Sequence, residues 1–302
     1  MKKFNHIVLI FIIPILIFGV SIEILLRQIP NDYKTKAHFL NTNASKVETL
    51  ILGSSHTMYG VNPKYIDNSA YNLSHVSQTI DIDFELLKHY KSKMPRLRNL
   101  VLRLSYTTLF EKLIESPENW RLKDYTIYYQ LPVENKAIHH SELLSLKLKT
   151  NLERVYNYYV LGISEQKCDY LGWGEDANSK FSKDLEKSGL FTAKKHTIDD
   201  KIFYKENIKT LNDIIKFCKT NNIHVTLVTL PAYRSYIISL EEKQLNATLS
   251  AGKLMDSLYD NCQYYDYLDH SEFVETDFFD ADHLNEKGAK KVSLQLKTLL
   301  KH

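Results

Sequence analysis

The sequence predicts an α/β fold, in which helices flank a parallel sheet, preceded by one apolar helix at the amino terminus. Short apolar segments with the character of buried strands alternate with longer amphipathic segments, which is the pattern of a parallel sheet. Of the 302 residues, 44% are hydrophobic and 25% are charged, which suits one large folded domain and excludes a disordered chain.

The amino terminus carries two lysines and then an apolar run at residues 7–26, interrupted at Glu23. The length of this run is close to the roughly 20 residues that a membrane-spanning helix needs. No small-residue cleavage motif follows, which favours an uncleaved signal anchor over a signal peptide or a buried core helix. We predict that residues 1–30 anchor the chain in the cytoplasmic membrane by a single pass, with the rest outside the cytoplasm.

The body of the chain has a β-α-β-α-β order, followed by further helices and strands. A polar connector is predicted at residues 31–45 and an α/β domain at residues 46–302, with an insertion at about 110–195 that lacks strand alternation. We expect the insertion to border the crevice at the end of the third strand. The predicted strands cover residues 47–52, 69–73, 97–104, 224–230 and 263–267, and the predicted helices cover residues 80–91, 202–221, 240–259 and 286–300.

Charge and cysteine content argue against a nucleic-acid-binding protein and against a fold held by disulfides or zinc. The formal net charge is +3, and the basic residues are spread among acidic ones, so no basic stripe indicates a nucleic-acid partner. Cys168, Cys218 and Cys262 are far apart and odd in number, which favours neither a disulfide framework nor a zinc site. A single Cys168–Cys262 bridge stays open at this point.

Two segments carry residues suited to nucleophilic catalysis. Ser55 lies just after the first predicted strand, where ligands bind in parallel α/β sheets and where backbone N–H groups can stabilise an oxyanion. Near the other end of the chain, Asp280 precedes His283 by three residues on a loop that leads into the last helix. A carboxylate so placed can orient an imidazole whose second nitrogen faces the crevice. Taken alone, each segment also fits an ordinary turn or capping loop.

Together the two segments resemble the conserved blocks of the SGNH/GDSL hydrolase family. The run Gly53-Ser54-Ser55-His56 resembles the first block, with Ser54 in place of the usual aspartate and Ser55 at the nucleophile position. The run Asp280-Ala281-Asp282-His283 resembles the last block, Asp-x-x-His. The resemblance covers most of residues 47–109 and 200–300 and implies a flavodoxin-like three-layer α/β/α fold with a serine, histidine and aspartate triad.

The middle blocks of the family match less closely. Ser74 stands where the second block has a glycine, and no asparagine follows the third strand at residues 102–108. The resemblance therefore implies that the backbone N–H of Ser74 binds the oxyanion, with Gln78 or Ser105 in place of the asparagine side chain. His56 and His75 have the simpler role of lining the crevice.

The Gly-Ser-Ser variant, the missing asparagine and the anchor resemble a divergent branch of the family. That branch contains the D-alanyl-transfer protein of teichoic acids and the alginate O-acetylation proteins. The resemblance implies removal or transfer of acyl groups on an envelope polysaccharide, with a membrane-bound O-acyltransferase as partner. A catalytically weak member that binds envelope glycan or that partner is the alternative, and a purely structural tethered protein is the third.

The sequence predicts neither a cofactor nor a metal. A metal site made of Asp280, Asp282, His283 and His270 is conceivable from their ligand types, but their spacing matches no recognised cage.

Overall fold

The computed structural model describes residues 2–131, 133–134, 136–174, 184–198 and 200–300. These residues form two compact units. The amino-terminal unit consists of residues up to 37 together with 117–167, and the sheet unit consists of 38–116 together with the residues from 168 onward. The predicted domain boundaries stay a prediction, and residues 132, 135 and 175–183 of the predicted insertion lie outside the described residues.

The sheet unit is built on parallel strands in the order β2-β1-β3-β4-β5. This is the order of flavodoxin-like doubly wound sheets, in which the chain reverses its direction of travel between β1 and β3. The predicted α/β class with a parallel sheet is confirmed. The strands are β1 (Thr49–Leu52), β2 (Ala70–Asn72), β3 (Asn99–Arg103), β4 (His224–Thr229) and β5 (Cys262–Asp266).

The α-helices of the described residues fall before, between and after these strands. They are α1 (Lys2–Gln28), α2 (Asp32–Asn43), α3 (Ser55–Gly60), α4 (Ile80–Lys91), α5 (Leu122–Tyr128), α6 (Glu142–Ser145), α7 (Leu148–Tyr159), α8 (Leu185–His196), α9 (Tyr204–Thr220), α10 (Arg234–Ile237), α11 (Glu242–Leu258) and α12 (Glu286–Leu299).

Both faces of the sheet are buried, which explains the continuous apolar runs of its strands. On one face, Ile51, Val101 and Val228 pack into a cluster that includes Val292 and Leu296 of α12. Neighbouring strand residues point the opposite way, because side chains alternate along a strand. Those alternate residues are also fully buried, namely Leu50, Leu52, Leu100, Leu102 and Leu227. Phe84 of α4 and Phe217 of α9 meet edge to face, with their ring centroids 5.8 Å apart.

Within the amino-terminal unit, the stretch Leu9–Gln28 of α1 is long and apolar enough to cross a membrane, a test that a signal sequence also passes. Only 11% of this stretch is buried, whereas a core helix of a soluble protein is mostly buried. Its final turns are the exception. Ile22, Leu26 and Ile29 form a buried cluster against Leu143, Val155 and Tyr158.

Two sequence interpretations differ from the structure. The predicted connector is wrong, because residues 32–43 form helix α2. Tyr33, Ala37 and Leu40 are buried and spaced by four and three residues, which is the signal of a helix face that overall polarity concealed. The three cysteines are buried and free, so the Cys168–Cys262 bridge is not formed.

We predict that Leu100→Ala lowers the free energy of unfolding by about 2–5 kcal/mol, because it leaves a cavity in the middle of the sheet. The matched control is Leu258→Ala, whose side chain is 59% exposed and whose effect should stay within about 0.5 kcal/mol. Denaturant unfolding in detergent micelles measures both. Equal effects of the two substitutions would contradict the buried position of β3.

Candidate active site

The turn after β1 places Ser55 at the edge of the sheet. Gly53 adopts φ +134°, a conformation that side chains rarely adopt. A Cβ atom there would lie 2.6 Å from Oγ1 of Thr57 and 2.7 Å from Cβ of Arg103, so glycine is required on two grounds. Ser54 is the N-cap of α3 and accepts a bond from the N–H of His56 at 3.4 Å. Ser55 is therefore the first residue of that helix.

The structure brings together the three residues predicted as a triad. The distance from Oγ of Ser55 to Nε2 of His283 is 2.8 Å. On the other side of the ring, Nδ1 of His283 lies 2.9 Å from Oδ1 and 3.1 Å from Oδ2 of Asp280. A serine hydroxyl, an imidazole and a carboxylate in this sequence of hydrogen bonds have the geometry of an activated nucleophile. The catalytic role of the three residues stays a prediction.

The loop that carries Asp280 and His283 is held by its own backbone. Oδ1 of Asp280 accepts from the N–H of Asp282 at 3.1 Å and from the N–H of His283 at 2.8 Å. The same carboxylate thus fixes both the backbone and the ring of His283. Asn285 then caps α12 by accepting from the N–H groups of Lys287 and Gly288.

A second carboxylate approaches the same imidazole. Oδ1 of Asp282 lies 3.5 Å from Nδ1 of His283, and its Oδ2 lies 3.4 Å from Nε2 of His56. Both distances exceed that of an ordinary hydrogen bond, so the interaction is mainly one of charge. The imidazole of His56 stacks on that of His283, with ring centroids 4.9 Å apart and planes inclined by 25°.

These neighbours drive the two histidines to opposite protonation states. Burial acts to lower the pKa of His283, but the negative charges of Asp282 and Asp280 outweigh it and raise that pKa to about 9. Burial, together with the positive charges of His283 and Arg103, lowers the pKa of His56 to about 3. The carboxylate of Asp282 acts to raise this pKa but does not outweigh them. At neutral pH His283 is therefore largely charged and His56 is neutral.

Arg103 is a charged residue of the site that the sequence analysis missed. It ends β3 and is only 2% exposed. Its Nη1 donates to Oγ of Ser105 at 2.7 Å and lies 3.4 Å from Nδ1 of His56. Its Nε and Nη2 have no hydrogen-bond partner among the described residues. Burial lowers its pKa. In the sequence, Arg103 could have been recognised as a site residue because it is a charged residue directly after the apolar run Leu100-Val101-Leu102.

Arg103 borders a small cavity beside His56 and Asp282. The cavity measures about 20 Å³ and is also lined by Ser105 and Tyr236. A volume of this size accommodates about one water molecule. Behind it, the hydroxyl of Tyr236 lies 2.9 Å from Nδ1 of His196. Tyr236 and His196 were also missed, because nothing in their local sequence distinguishes them from ordinary helix residues.

The groups predicted to bind the oxyanion form hydrogen bonds within the protein. The backbone N–H of Ser74 donates to Oδ1 of Asn72 at 3.0 Å, and Nε2 of Gln78 donates to Oδ1 of Asp83 at 2.6 Å. Ser105 accepts its bond from Arg103 on the side of His56. Ser74 and Gln78 are therefore engaged by acceptors of the protein itself. Their role at an oxyanion, like that of Ser105, stays a prediction.

His56, Asp282 and His283 are also the described residues whose potential metal-ligand atoms lie within 4.8 Å of one another. Both nitrogens of His283 are already hydrogen-bonded, to Ser55 and to Asp280. The arrangement is suited to proton transfer rather than to holding a cation.

Parts of the predicted insertion that belong to the sheet unit contact the helix that carries Ser55. The indole N–H of Trp173 donates to the carbonyl of Tyr59 at 2.7 Å, and the N–H of Gly174 donates to the carbonyl of Met58 at 3.0 Å. The ring of Tyr59 in turn meets that of His283 edge to face at 5.9 Å.

Comparisons with known proteins give similarity at the level of overall structure. No protein-family model matches the sequence, and no curated protein matches it. One similar solved structure is a candidate platelet activating factor from Streptococcus pneumonia, with a TM-score of 0.45 and 11% identity over 97% of this chain and 99% of the other. Another is a candidate acylhydrolase from Bacteroides fragilis, with a TM-score of 0.40 and 11% identity over 88% of this chain and 94% of the other.

We predict that Asp282→Asn lowers the pKa of His283 from its value of about 9, because it removes the charge that raises this pKa most. An opposite charge at this range changes a pKa by roughly 1 to 3 pH units. NMR titration of protein labelled at its histidine side chains measures the effect, with His283→Gln to assign the signal. An unchanged titration in Asp282→Asn would mean that Asp280 alone sets the charge of the ring.

Proposed function

We propose that the protein is a membrane-anchored serine esterase or acyltransferase with Ser55 as nucleophile, His283 as general base and Asp280 as the orienting carboxylate. The observation that carries the proposal is the continuous hydrogen-bonded path from Ser55 through both nitrogens of His283 to Asp280. Its position at the carboxyl end of β1, beside the reversal point of the strand order, is where parallel α/β sheets bind their ligands.

In this mechanism neutral His283 takes the proton of Ser55 as the serine oxygen attacks an acyl carbonyl. Asp280 accepts the Nδ1–H bond, which holds the tautomer with Nε2 free to act as base. Collapse of the tetrahedral adduct breaks the ester bond, and the departing alcohol takes the proton from His283, which leaves the acyl group on Ser55. Water or a sugar hydroxyl then attacks this acyl-serine and gives its proton to His283, and the proton returns to Ser55 as the acyl group leaves it. Because the pKa of His283 is about 9, the neutral base becomes more abundant as pH rises, and the rate should rise with pH until that value is passed.

The developing negative charge on the carbonyl oxygen needs donors close to Ser55. The backbone N–H of Ser55 lies next to the nucleophile, whereas the N–H of His56 donates to Oγ of Ser54 and the N–H of Thr57 donates to its carbonyl. Arg103 adds a buried positive charge behind His56. Since the N–H groups of Ser74 and His56 are engaged by acceptors of the protein, we assign the oxyanion to the backbone N–H of Ser55.

Retention of α1 in the folded chain is supported by its last turns. Ile22 and Leu26 are core residues of the amino-terminal unit, and the hydroxyl of Tyr159 donates to the carbonyl of Leu25 at 3.1 Å. The Glu23 carboxylate accepts from the N–H groups of Glu142 and Leu143. Cleavage near this point would remove part of a hydrophobic core, which favours an anchor over a signal peptide. The charged leader before a single apolar run favours an extracytoplasmic body.

The proposed substrate is an acyl ester of an envelope polysaccharide, and the proposed partner is a membrane-bound O-acyltransferase. Both rest on the resemblance of residues 53–56 and 280–283 to the divergent family branch, together with the anchor. An anchored enzyme meets envelope polymers at the membrane surface, where such an acyltransferase would supply or receive the acyl group.

A catalytically weak protein that binds the same glycan or partner is the second candidate. It is favoured by the engaged N–H of Ser74 and by the high pKa of His283, because both reduce the rate of acyl transfer at neutral pH. One lost oxyanion donor costs roughly 10²–10³ in rate.

We predict that a fluorophosphonate probe labels the purified protein at Ser55, faster at pH 9 than at pH 7. Ser55→Ala or His283→Ala should abolish labelling and lower hydrolysis of a small acetyl ester by about a thousand-fold or more. Asp280→Ala should cost less, because an orienting carboxylate contributes less than the nucleophile or the base. Labelling sites are read by peptide mass spectrometry.

Ser257→Ala is the control, because Ser257 lies exposed on α11 and its hydroxyl donates to the carbonyl of Leu254 in the same helix. If Ser55→Ala keeps wild-type esterase activity, or still transfers acyl groups to envelope glycan in cells, the enzyme mechanism is wrong. The second candidate, a glycan-binding or partner-binding protein, would then be the better explanation. Glycan binding without any labelling would have the same consequence.

We predict that the chain isolated from membranes retains residues 4–26 and that alkaline phosphatase fused to its carboxyl terminus is active. We expect phosphatase activity because the body of the chain is extracytoplasmic. We expect mass spectrometry of the purified chain to give the intact mass because α1 is not cleaved. Release of a soluble mature chain that begins near residues 22–30 would contradict the anchor.

A further inference from the structure

Helices α6 and α7 and the loop after α7 expose an apolar surface in the amino-terminal unit. Leu148, Leu152 and Tyr156 follow one another at intervals of four residues, so they lie along one side of the helix. The next residues fold back, since the N–H of Ile163 donates to the carbonyl of Asn157 at 2.9 Å. The exposed apolar side chains of this surface are Leu144, Leu148, Leu152, Tyr156, Tyr159, Val160, Leu161 and Ile163.

The exposure of these side chains is too large and too clustered to be incidental. Leu144 is 62% exposed, Val160 64% and Leu161 53%. Apolar patches of this kind on a protein surface mark contacts with another protein, a ligand or a membrane. The inner side of α7 is different in character. Its Arg154 bonds to Glu142 and Glu165, and its Asn151 is fully buried.

The apolar surface is continuous with helix α1. Val155 and Tyr158 of α7 pack on the buried cluster of α1, and the hydroxyl of Tyr159 bonds to the carbonyl of Leu25. Leu143 of α6 contacts α1 at Gly19, where an added Cβ atom would lie 3.7 Å from Cδ2 of Leu143. Residues of α6 and α7 therefore lie beside α1 from Gly19 onward.

The depth of this contact follows from helix geometry. Gly19 lies nine residues before Gln28, the end of the apolar stretch, which at the rise of an α-helix is about 13 Å along the axis. Glu23, also within the stretch, would be costly in lipid without partners. It is satisfied by the hydroxyl of Ser141 at 2.8 Å, the N–H of Leu143 at 2.8 Å and Arg27 at 2.6 Å. These partners belong to the last turn of α1 and to the residues that pack beside it.

We propose that α6, α7 and the loop at residues 160–163 lie in the interfacial layer of the bilayer, with the apolar surface against the lipid acyl chains. Because these elements pack beside the last part of a membrane-spanning helix, the same bilayer that covers α1 also reaches them. Interfacial helices place their apolar faces roughly 5–10 Å into this layer, a depth that lies inside the last 13 Å or so of α1 along which α6 and α7 contact it. Tyr156 and Tyr159 suit this position, since tyrosines are enriched at membrane interfaces.

The inference rests on the proposed anchoring by α1, and it deepens that proposal by assigning a second contact with lipid. A single helix would leave the amino-terminal unit free to tilt and rotate. A second apolar face at the interface would fix the angle of that unit against the membrane plane.

Nitroxide labels on introduced cysteines test the proposal in the full-length chain, reconstituted in vesicles of phosphatidylethanolamine and phosphatidylglycerol. The three native cysteines are buried, and unsubstituted protein treated with the label measures their background. Collision with oxygen, which concentrates in lipid, is compared with collision with a water-soluble nickel chelate. The labelled variants are Ile17→Cys in α1, Leu152→Cys, Leu161→Cys and the control Lys167→Cys.

Lys167 is the control because it is exposed and its N–H bonds to Asp32, beyond the end of α1. We expect oxygen to dominate at positions 17, 152 and 161 and the chelate to dominate at 167. Labels at 152 and 161 that behave like 167, while 17 stays in lipid, would overturn the proposal and leave the anchor standing. Labels at 152 and 161 shielded from both reagents would overturn it in favour of a protein partner or a second copy. A chelate-accessible label at 17 would remove the anchor and the proposal together.

Discussion

The approach of two carboxylates to one imidazole is the constraint on which the rest of the site depends. Asp280 binds the ring and the backbone of His283, while buried Asp282 lies between His283 and His56. The positive charge of His283 offsets these carboxylates, while burial, together with that charge, lowers the pKa of stacked His56 and keeps it neutral. A neutral His56 can then accept from Ser54 and face the guanidinium of Arg103. Removal of any one charge would leave another buried without its counterpart.

Much of the fold could be predicted from the sequence, because buried parallel strands are continuous apolar runs. Each predicted strand overlaps an observed one. Ser55 was predicted at the end of the first strand and His283 on the loop before the last helix, and the structure has them there. Helix α2 could not be recognised from its overall polarity. The resemblance of two segments to the hydrolase blocks, rather than any strand pattern, predicted that Ser55 and His283 would meet although they are 228 residues apart.

The electrostatic details could not be predicted in the same way. Nothing in the local sequence distinguishes an N–H that is free from one that meets a side-chain acceptor, as the N–H of Ser74 does with Asn72. Whether Arg103 is buried or solvated depends on packing by residues far away in the chain, including the backbone of Gly53. The catalytic positions follow a motif, whereas the charges that tune them follow from the assembled fold.

The contacts of Glu23 impose an order of events on synthesis of the chain. Its partners at residues 141–143 follow it by 118 to 120 positions. At ordinary rates of translation they leave the ribosome roughly 6 to 24 s later. During that interval the carboxylate has Arg27, four residues on, as its nearby countercharge. This local ion pair keeps an acidic group compatible with an apolar segment until the later part of the chain arrives to complete the core.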